Sequence, residues 1–372
     1  MDTKLFCSPE SILRISKTAD SRISTIVSSL LLLRSVLASL RQVYGHTQLR
    51  DQKEVRSRPI PMASTITLVV QPRGKPIRKL PKELQIDPNA STQEIYTSLA
   101  EASGFSIHRL RITKGSDRTV VPNSKGMTAN DIGLRDQSVV HVKDLGPQIA
   151  WRTVFIIEYL GPLLLHPLFL FPLRPYIYYN FDKPLPEPSG LQLLVCGLLT
   201  VHFVKRELET LFVHRFSNAT MPVRHIFRNS AHYWVLAGFN IAYWVFRPDA
   251  AAATNEPNPA LLYSGLTLFV FGELANLNTH LVLRDLRRPG TTERGIPTGF
   301  GFNLVTCPNY LFEIIAWIGV YLVSGMSWSV LFFITIGGST MASWAAKKER
   351  RYRKEFGDKY KRKRFVIIPG IF

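Results

Sequence analysis

Four stretches of the chain place ionisable side chains among apolar ones at helical spacing. Glu158 stands in Ile156-Ile157-Glu158-Tyr159-Leu160-Gly161-Pro162, and the run from His202 to Glu209 also holds Lys205, Arg206 and Glu207. Asn276, His280 and Arg284 recur four residues apart. Asn309 and Glu313 repeat that spacing in Cys307-Pro308-Asn309-Tyr310-Leu311-Phe312-Glu313. Residues four apart share one helix face. An ionisable group inside a bilayer costs about 2.5 kcal/mol or more, so it normally faces a bundle interior or a water-filled cavity. For Lys205 and Arg206 one reading is that they snorkel to the interface, with Glu207 and Glu209 pairing with them; the other is that they face the bundle interior. Asn276 and His280 alone would serve as interhelical glue. Two polar faces on successive helices, flanked by an Arg-rich segment, instead define a crevice with cations at its mouth. Such a crevice suits a polyanionic ligand, a nucleotide cofactor or coenzyme A.

The segments that must position these residues are apolar. The chain has 372 residues, 46% hydrophobic and 11% aromatic, with a formal charge of +19. That charge sits in short blocks between apolar runs, the membrane-protein pattern, and not on one face as nucleic-acid binding would require. Candidate spans are 151–172, 191–212, 231–247, 261–283, 308–324 and 327–346. Arg215, Arg224 and Arg228 follow the second span; Arg284, Arg287, Arg288 and Arg294 follow the fourth; eleven basic residues fill 347–372. The other two loops hold two basic residues at most. Six spans with both termini cytosolic satisfy the positive-inside rule at each loop.

Ahead of the spans, residues 62–145 read as a small α+β domain. Strand Ile66–Val70 turns at Pro72-Arg73-Gly74 into a second strand expected near Pro76–Leu80. Ser91 and Glu94 form a capping box, and Gly104 closes the helix. Arg109–Thr113 and Ser138–Lys143 alternate as half-buried strands do. Hairpin, helix, strand, turn and strand resemble a ubiquitin-like β-grasp fold, fused through Gly146-Pro147 to a membrane domain over 150–372. Residues 1–61 carry ten Lys/Arg against five acids and are expected to be a disordered extension. Cys7, Cys196 and Cys307 lie far apart and supply neither a disulfide framework nor a metal site. The fold class expected is an all-α polytopic membrane bundle of about six helices behind an α+β module.

Several chemistries are excluded by motif. No GxGxxG follows a strand, so a Rossmann dinucleotide site is absent. Gly295-Ile296-Pro297-Thr298-Gly299-Phe300-Gly301 has the wrong spacing. No clustered histidine boxes and no Gly-x-Ser-x-Gly elbow occur.

Taken together, Glu158-Tyr-Leu-Gly-Pro-Leu-Leu, the run from His202 to Ser217, Thr279-His-Leu-Val-Leu-Arg-Asp-Leu-Arg, Cys307-Pro-Asn-Tyr and the ending from Tyr352 to Pro369 carry a family likeness. Over about residues 64–372 the chain is similar to the very-long-chain trans-2-enoyl-CoA reductases of the steroid 5α-reductase superfamily. The resemblance implies NADPH-dependent reduction of the 2,3 double bond of a long enoyl-CoA. That reaction is the last step of each fatty-acid elongation cycle, at the endoplasmic reticulum membrane beside other elongation-cycle enzymes. It assigns Tyr310 as proton donor, with Glu158 at the reacting end, bonded to the enolising thioester or to Tyr310. For the cofactor it implies Asn276, His280, Arg284, Arg287, Arg294, Asn309, Glu313, Lys348 and Tyr352. Two departures matter: steroid reductases carry an acid at the position of His280, and the superfamily arginine aligns one residue away from Arg294. A steroid or polyprenol reductase of the same superfamily is the near alternative. An isoprenylcysteine-type methyltransferase, suggested by the tail, normally shows Arg-His-Pro-x-Tyr where this chain has Thr306-Cys-Pro-Asn-Tyr. A non-enzymatic membrane adaptor would have no use for Glu158, His280 and Glu313.

Overall fold

The computed structural model describes residues 65–181, 184–216, 219–286, 295–360 and 365–371. The extension read at 1–61 lies outside them, as do Arg287 and Arg294. The first element is a four-stranded sheet of order β2-β1-β4-β3, built from β1 (Ile66–Pro72), β2 (Glu83–Ile86), β3 (Leu110–Lys114) and β4 (Val139–Asp144). β1 and β4 pair in parallel and the other neighbours antiparallel. Helix α1 (Thr92–Ser103) covers one face, where Ile95 and Leu99 meet Leu68, Ile112, Val140 and Val142 in a closed core. Its ends are set locally: Ser91 and Glu94 satisfy each other's backbone amides, and Gly104 adopts φ 71° to turn the chain out.

The second strand is not where the sequence places it. Pro76–Leu80 forms a turn, with Lys79 at positive φ, and pairing begins only at Glu83. Pro76 and Pro81 have no amide hydrogen to give a ladder. The run 83–86 has none, and its register (Ile66 opposite Ile86) puts Ile86 into the core.

Strand β5 (Gln148–Ala150) leads from the sheet into the helices and pairs antiparallel with β6 (Thr220–Pro222). Among the described residues the longer helices are α2 (Trp151–Leu170), α3 (Gly190–Leu208), the composite α4 (225–245), α5 (Pro259–Asp285), α6 (Pro308–Val323) and α7 (Trp328–Phe356), with short turns of helix at Arg174–Ile177 and Ala251–Thr254. α3 continues as a π-helical turn, Glu209–Val213; α4 joins His225–Ser230, a π-helical Ala231–Asn240 and Ile241–Val245. Ser189 with Gln192, Asn258 with Pro259, and Pro308 start α3, α5 and α6. Among the described residues, Trp151–Leu170, Pro259–Asp285 and Trp328–Tyr360 are long and apolar enough to cross a membrane, and Pro308–Val323 is a shorter apolar helix. α3 misses that standard because its last turn holds Lys205, Arg206 and Glu207.

The tightest seam joins α5 to α6. A Cβ on Gly272 would lie 2.5 Å from the Ala316 nitrogen, and one on Gly319 would lie 2.5 Å from the Gly265 carbonyl. Only glycine permits this approach, as small residues do at membrane-helix interfaces. The seam brings the polar face of α5 against the first turns of α6.

Candidate active site

A cavity of about 1090 Å³ opens among α2, α3, α4, α5, α6 and α7. Its lining takes in Glu158, Asn276, His280, Arg284, Asn309, Tyr310, Glu313, Lys348 and Tyr352. The structure therefore brings together nine of the residues singled out from sequence; Arg287 and Arg294 lie outside the described residues.

The α5–α6 seam forms its floor. Asn276 Nδ2 donates to the Asn309 carbonyl at 2.8 Å and to Glu313 Oε2 at 3.1 Å. Two helices that each repeat polar groups at i, i+4 thus lock at equivalent turns. Asn309 and Tyr310 occupy the first turn of α6, where free backbone amides and the helix dipole favour negative charge. Tyr310 packs on Trp344 of α7, ring centroids 6.4 Å apart, and no described residue hydrogen-bonds its hydroxyl. Asn309 Oδ1 and Glu158 Oε1 are buried with no hydrogen-bond partner. Uncompensated burial of such atoms costs about 1–3 kcal/mol each, and they sit where a ligand would satisfy them.

α3 supplies a wall of paired charges. His202 Nδ1 meets Glu273 Oε1 at 2.6 Å, and its Nε2 lies 3.4 Å from Glu313. Lys205 reaches Glu273 at 2.9 Å and donates to Asn276 Oδ1 at 2.7 Å. Arg206 pairs with Glu209 at 2.7 Å and donates to the Tyr159 hydroxyl at 2.8 Å. His280 Nδ1 lies 3.0 Å from Glu209. The snorkelling reading of Lys205 and Arg206 is therefore corrected: both point inward, their side chains 15% and 12% exposed. The physical reason is that Glu209 and Glu273 are themselves buried, and a buried carboxylate holds its cation more strongly than an interface would. Glu207 Oε1 has no partner, so the expected Lys205/Arg206 pairing with Glu207 does not form.

Residues 202, 205, 206 and 209 share one face of α3 and the π-helical turn that continues it. Glu273 is one of the ionisable residues within the fourth apolar run, while Tyr159 and His214 enter only through tertiary contacts that no local pattern encodes. Glu209, His214 and His280 hold potential ligand atoms within 4.8 Å of one another. Glu209 already neutralises Arg206 and faces Lys205 at 3.5 Å, a setting that repels a further cation.

Cations ring the mouth. Arg228, Arg284 and Lys348 line the cavity, Arg284 paired with Asp285 and Lys348 lying 5.7 Å above the Tyr352 ring. α7 is tied to the start of α6 through Glu349, which accepts from Tyr360 at 2.9 Å and from Thr306. The last described segment adds backbone bonds from Thr306 to Phe365 and from Cys307 to Val366.

Residues 219–372 match the family model described as 3-oxo-5-alpha-steroid 4-dehydrogenase. A Dictyostelium discoideum protein named very-long-chain enoyl-CoA reductase is 38% identical over 283 residues, covering 75% of this chain and 91% of that protein. The chain belongs to the very-long-chain enoyl-CoA reductases of the steroid 5α-reductase superfamily. A Schizosaccharomyces pombe protein carrying an enoyl reductase name is 40% identical over 82% of this chain and 99% of its own length. A human protein named trans-2,3-enoyl-CoA reductase-like is 30% identical over 66% of this chain and 67% of its own. The enoyl-CoA reductase likeness thus reaches well ahead of residue 219, into the part of the chain that carries the sheet, Glu158 and the paired charges of α3.

Proposed function

We propose that the chain reduces the 2,3 double bond of a very-long-chain trans-2-enoyl-CoA with NADPH, closing each turn of the fatty-acid elongation cycle. The observation that carries this reading is the single cavity holding Tyr310, Glu158 and the polar faces of α5 and α6 together. The enoyl-CoA reductase names of the relatives support the substrate class.

The donor set fits a nicotinamide dinucleotide. Asn309 Oδ1, an unpartnered acceptor, suits the carboxamide N–H, with Asn276 and Glu313 fixing the turn that presents it. Arg284 and Lys348, with Arg287 and Arg294 assigned by resemblance, would hold pyrophosphate and the 2′-phosphate; His280 and Tyr352 line the same path. NADPH, when bound, supplies the hydride that adds at C3.

The chain's own residues then manage charge and proton. As C3 is reduced, negative charge develops on the thioester oxygen, and C2 must take a proton. Tyr310 holds that proton, as a phenol stays protonated at neutral pH and can serve as a general acid. The amino end of α6 lies behind it and favours the charge that develops. Ionised, Glu158 can only accept, so its partner is the Tyr310 hydroxyl; protonated, it donates to the thioester oxygen. The apolar walls around Phe155, Trp317 and Phe333 exclude water and suit the acyl chain.

We assign the membrane as the endoplasmic reticulum, crossed six times with both termini cytosolic, and the sheet-and-helix module at 62–145 as a β-grasp of ubiquitin type. The basic segments around Arg228, Arg284 and Lys348, all at the cavity mouth, support a cytosolic opening. Purified protein given NADPH and trans-2-hexadecenoyl-CoA should consume both and release hexadecanoyl-CoA. Turnover of S-adenosylmethionine instead, or no loss of enoyl-CoA, would overturn the reading.

A further inference from the structure

The outer face of the sheet, opposite α1, carries three cations in one cross-strand row. Arg111 on β3 stands directly opposite Lys143 on β4. Pro72 of β1 pairs with Val142, and the next amide, of Arg73, donates to the Val142 carbonyl at 2.8 Å, which sets Arg73 on the other side of Lys143. Strands lie about 4.8 Å apart, so three like charges stand side by side. Like charges directly opposite each other destabilise a sheet. Nothing nearby relieves them: among the described residues none of the three forms an ion pair. The closest carboxylate along β4, Asp144, is taken by Arg109 through two bonds of 2.6 and 2.7 Å. Arg73, Arg111 and Lys143 converge on a cavity of about 120 Å³ whose floor is Thr113.

The row also has a defined place. β1 and β4 run parallel, so Arg73 and Lys143 lie at the same end of the sheet, the end from which the chain leaves for the membrane helices. Lys143 stands eight residues ahead of Trp151, where α2 begins. We infer that the Arg73–Lys143–Arg111 row is a docking site for anionic phospholipid headgroups of the bilayer that receives α2, and that it seats the sheet domain on that surface. Phosphate oxygens would complete a cavity that the protein fills with donors alone, and the lipid is the polyanion this end of the sheet meets first. The site is separate from the cavity that holds Tyr310 and stands whether or not the reductase reading does.

The test uses the full chain in vesicles. A fluorophore is placed at Gln71→Cys, an exposed position one row away on the same face, in a Cys7→Ser background; Cys196 and Cys307 are buried. Vesicles contain phosphatidylcholine alone or with about one-third phosphatidylserine, plus a headgroup-linked quencher. Quenching should be stronger in the anionic vesicles and fall as salt shortens the Debye length below about 8 Å. Each cation near an anionic surface favours binding roughly fivefold, so Arg111→Gln with Lys143→Gln should cut the preference for anionic vesicles roughly 25-fold. Because like charges are being removed, amide protection of β3 and β4 should hold or rise; the salt titration of the unaltered row tests the docking without any variant. Equal quenching in both vesicles would overturn the inference. So would a raised KM for trans-2-hexadecenoyl-CoA in the double variant in phosphatidylcholine, which would assign the row to the substrate's phosphates.

Discussion

Adding one methyl group at Gly272 should loosen the cofactor site without touching it. The Cβ of Gly272→Ala would fall 2.5 Å from the Ala316 nitrogen and 2.7 Å from the Phe312 carbonyl, both backbone atoms, where ordinary contact begins at 3.4 Å. Backbone cannot rotate away as a side chain can, so α6 must retreat by about 0.9 Å, the difference between the first and last of those distances. One turn along the same seam, Asn276 Nδ2 donates to the Asn309 carbonyl at 2.8 Å; the retreat carries that bond to about 3.7 Å, past hydrogen-bonding reach. Losing it releases the first turn of α6, and with it Asn309 and Tyr310. One hydrogen bond is worth about 0.5–1.5 kcal/mol, so the KM for NADPH should rise roughly 2–13-fold. Stability pulls two ways: alanine gains about 1 kcal/mol over glycine in a helix, while overpacking costs about 1–3 kcal/mol. Gly197→Ala is the control, since nothing lies within 4 Å of its added Cβ. It should raise the melting temperature and leave KM alone. The two variants are compared by thermal melting in detergent and by initial rates of NADPH oxidation against cofactor concentration. If Gly272→Ala is stabilised as much as Gly197→Ala and keeps its KM, the close seam does not set the site.

Two further outcomes follow from other parts of the molecule. Glu349→Gln replaces a carboxylate that accepts from Tyr360 and Thr306 and pairs with Arg353 at 2.7 Å. It should cost about 1.5–3 kcal/mol in thermal stability, and limited proteolysis should cut the C-terminal segment sooner as the clasp on α6 opens. In the sheet domain, the Arg109 guanidinium holds the Asp144 carboxyl below its ordinary value. A depressed folded pKa means this stabilisation is complete above about 3.9 and is lost as pH falls through the folded value. Amide exchange at β3 and β4 should therefore accelerate on acidification below that point, and Asp144→Asn should flatten the dependence.

What could be read in advance was local or periodic. Ser91, Glu94 and Gly104 set α1 through contacts within a few residues, and the structure places its ends there. Asn276 and Asn309 meet because each belongs to an i, i+4 repeat, which marks a face before any partner is known. Strand 83–86 was misplaced because four residues carry too little alternation to outweigh the nearer apolar run, and pairing with β1 decides the register. The inward direction of Lys205 and Arg206 is not legible from sequence, because the carboxylate that draws Lys205 in, Glu273, lies on another helix, and the depth of Glu209 depends on how its π-helical turn packs. The α5–α6 seam depends on Gly265, Gly272 and Gly319, whose value appears only when a second backbone stands against them.

Replacing Tyr310 with phenylalanine tests the central claim most directly. The ring and its packing on Trp344 remain, and only the hydroxyl proposed to protonate C2 is removed. General-acid catalysis contributes about 10²–10⁴-fold, so NADPH-dependent reduction of trans-2-hexadecenoyl-CoA should fall by that factor with the KM for NADPH little changed. A Tyr310→Phe enzyme that turns over at the full rate would contradict the account.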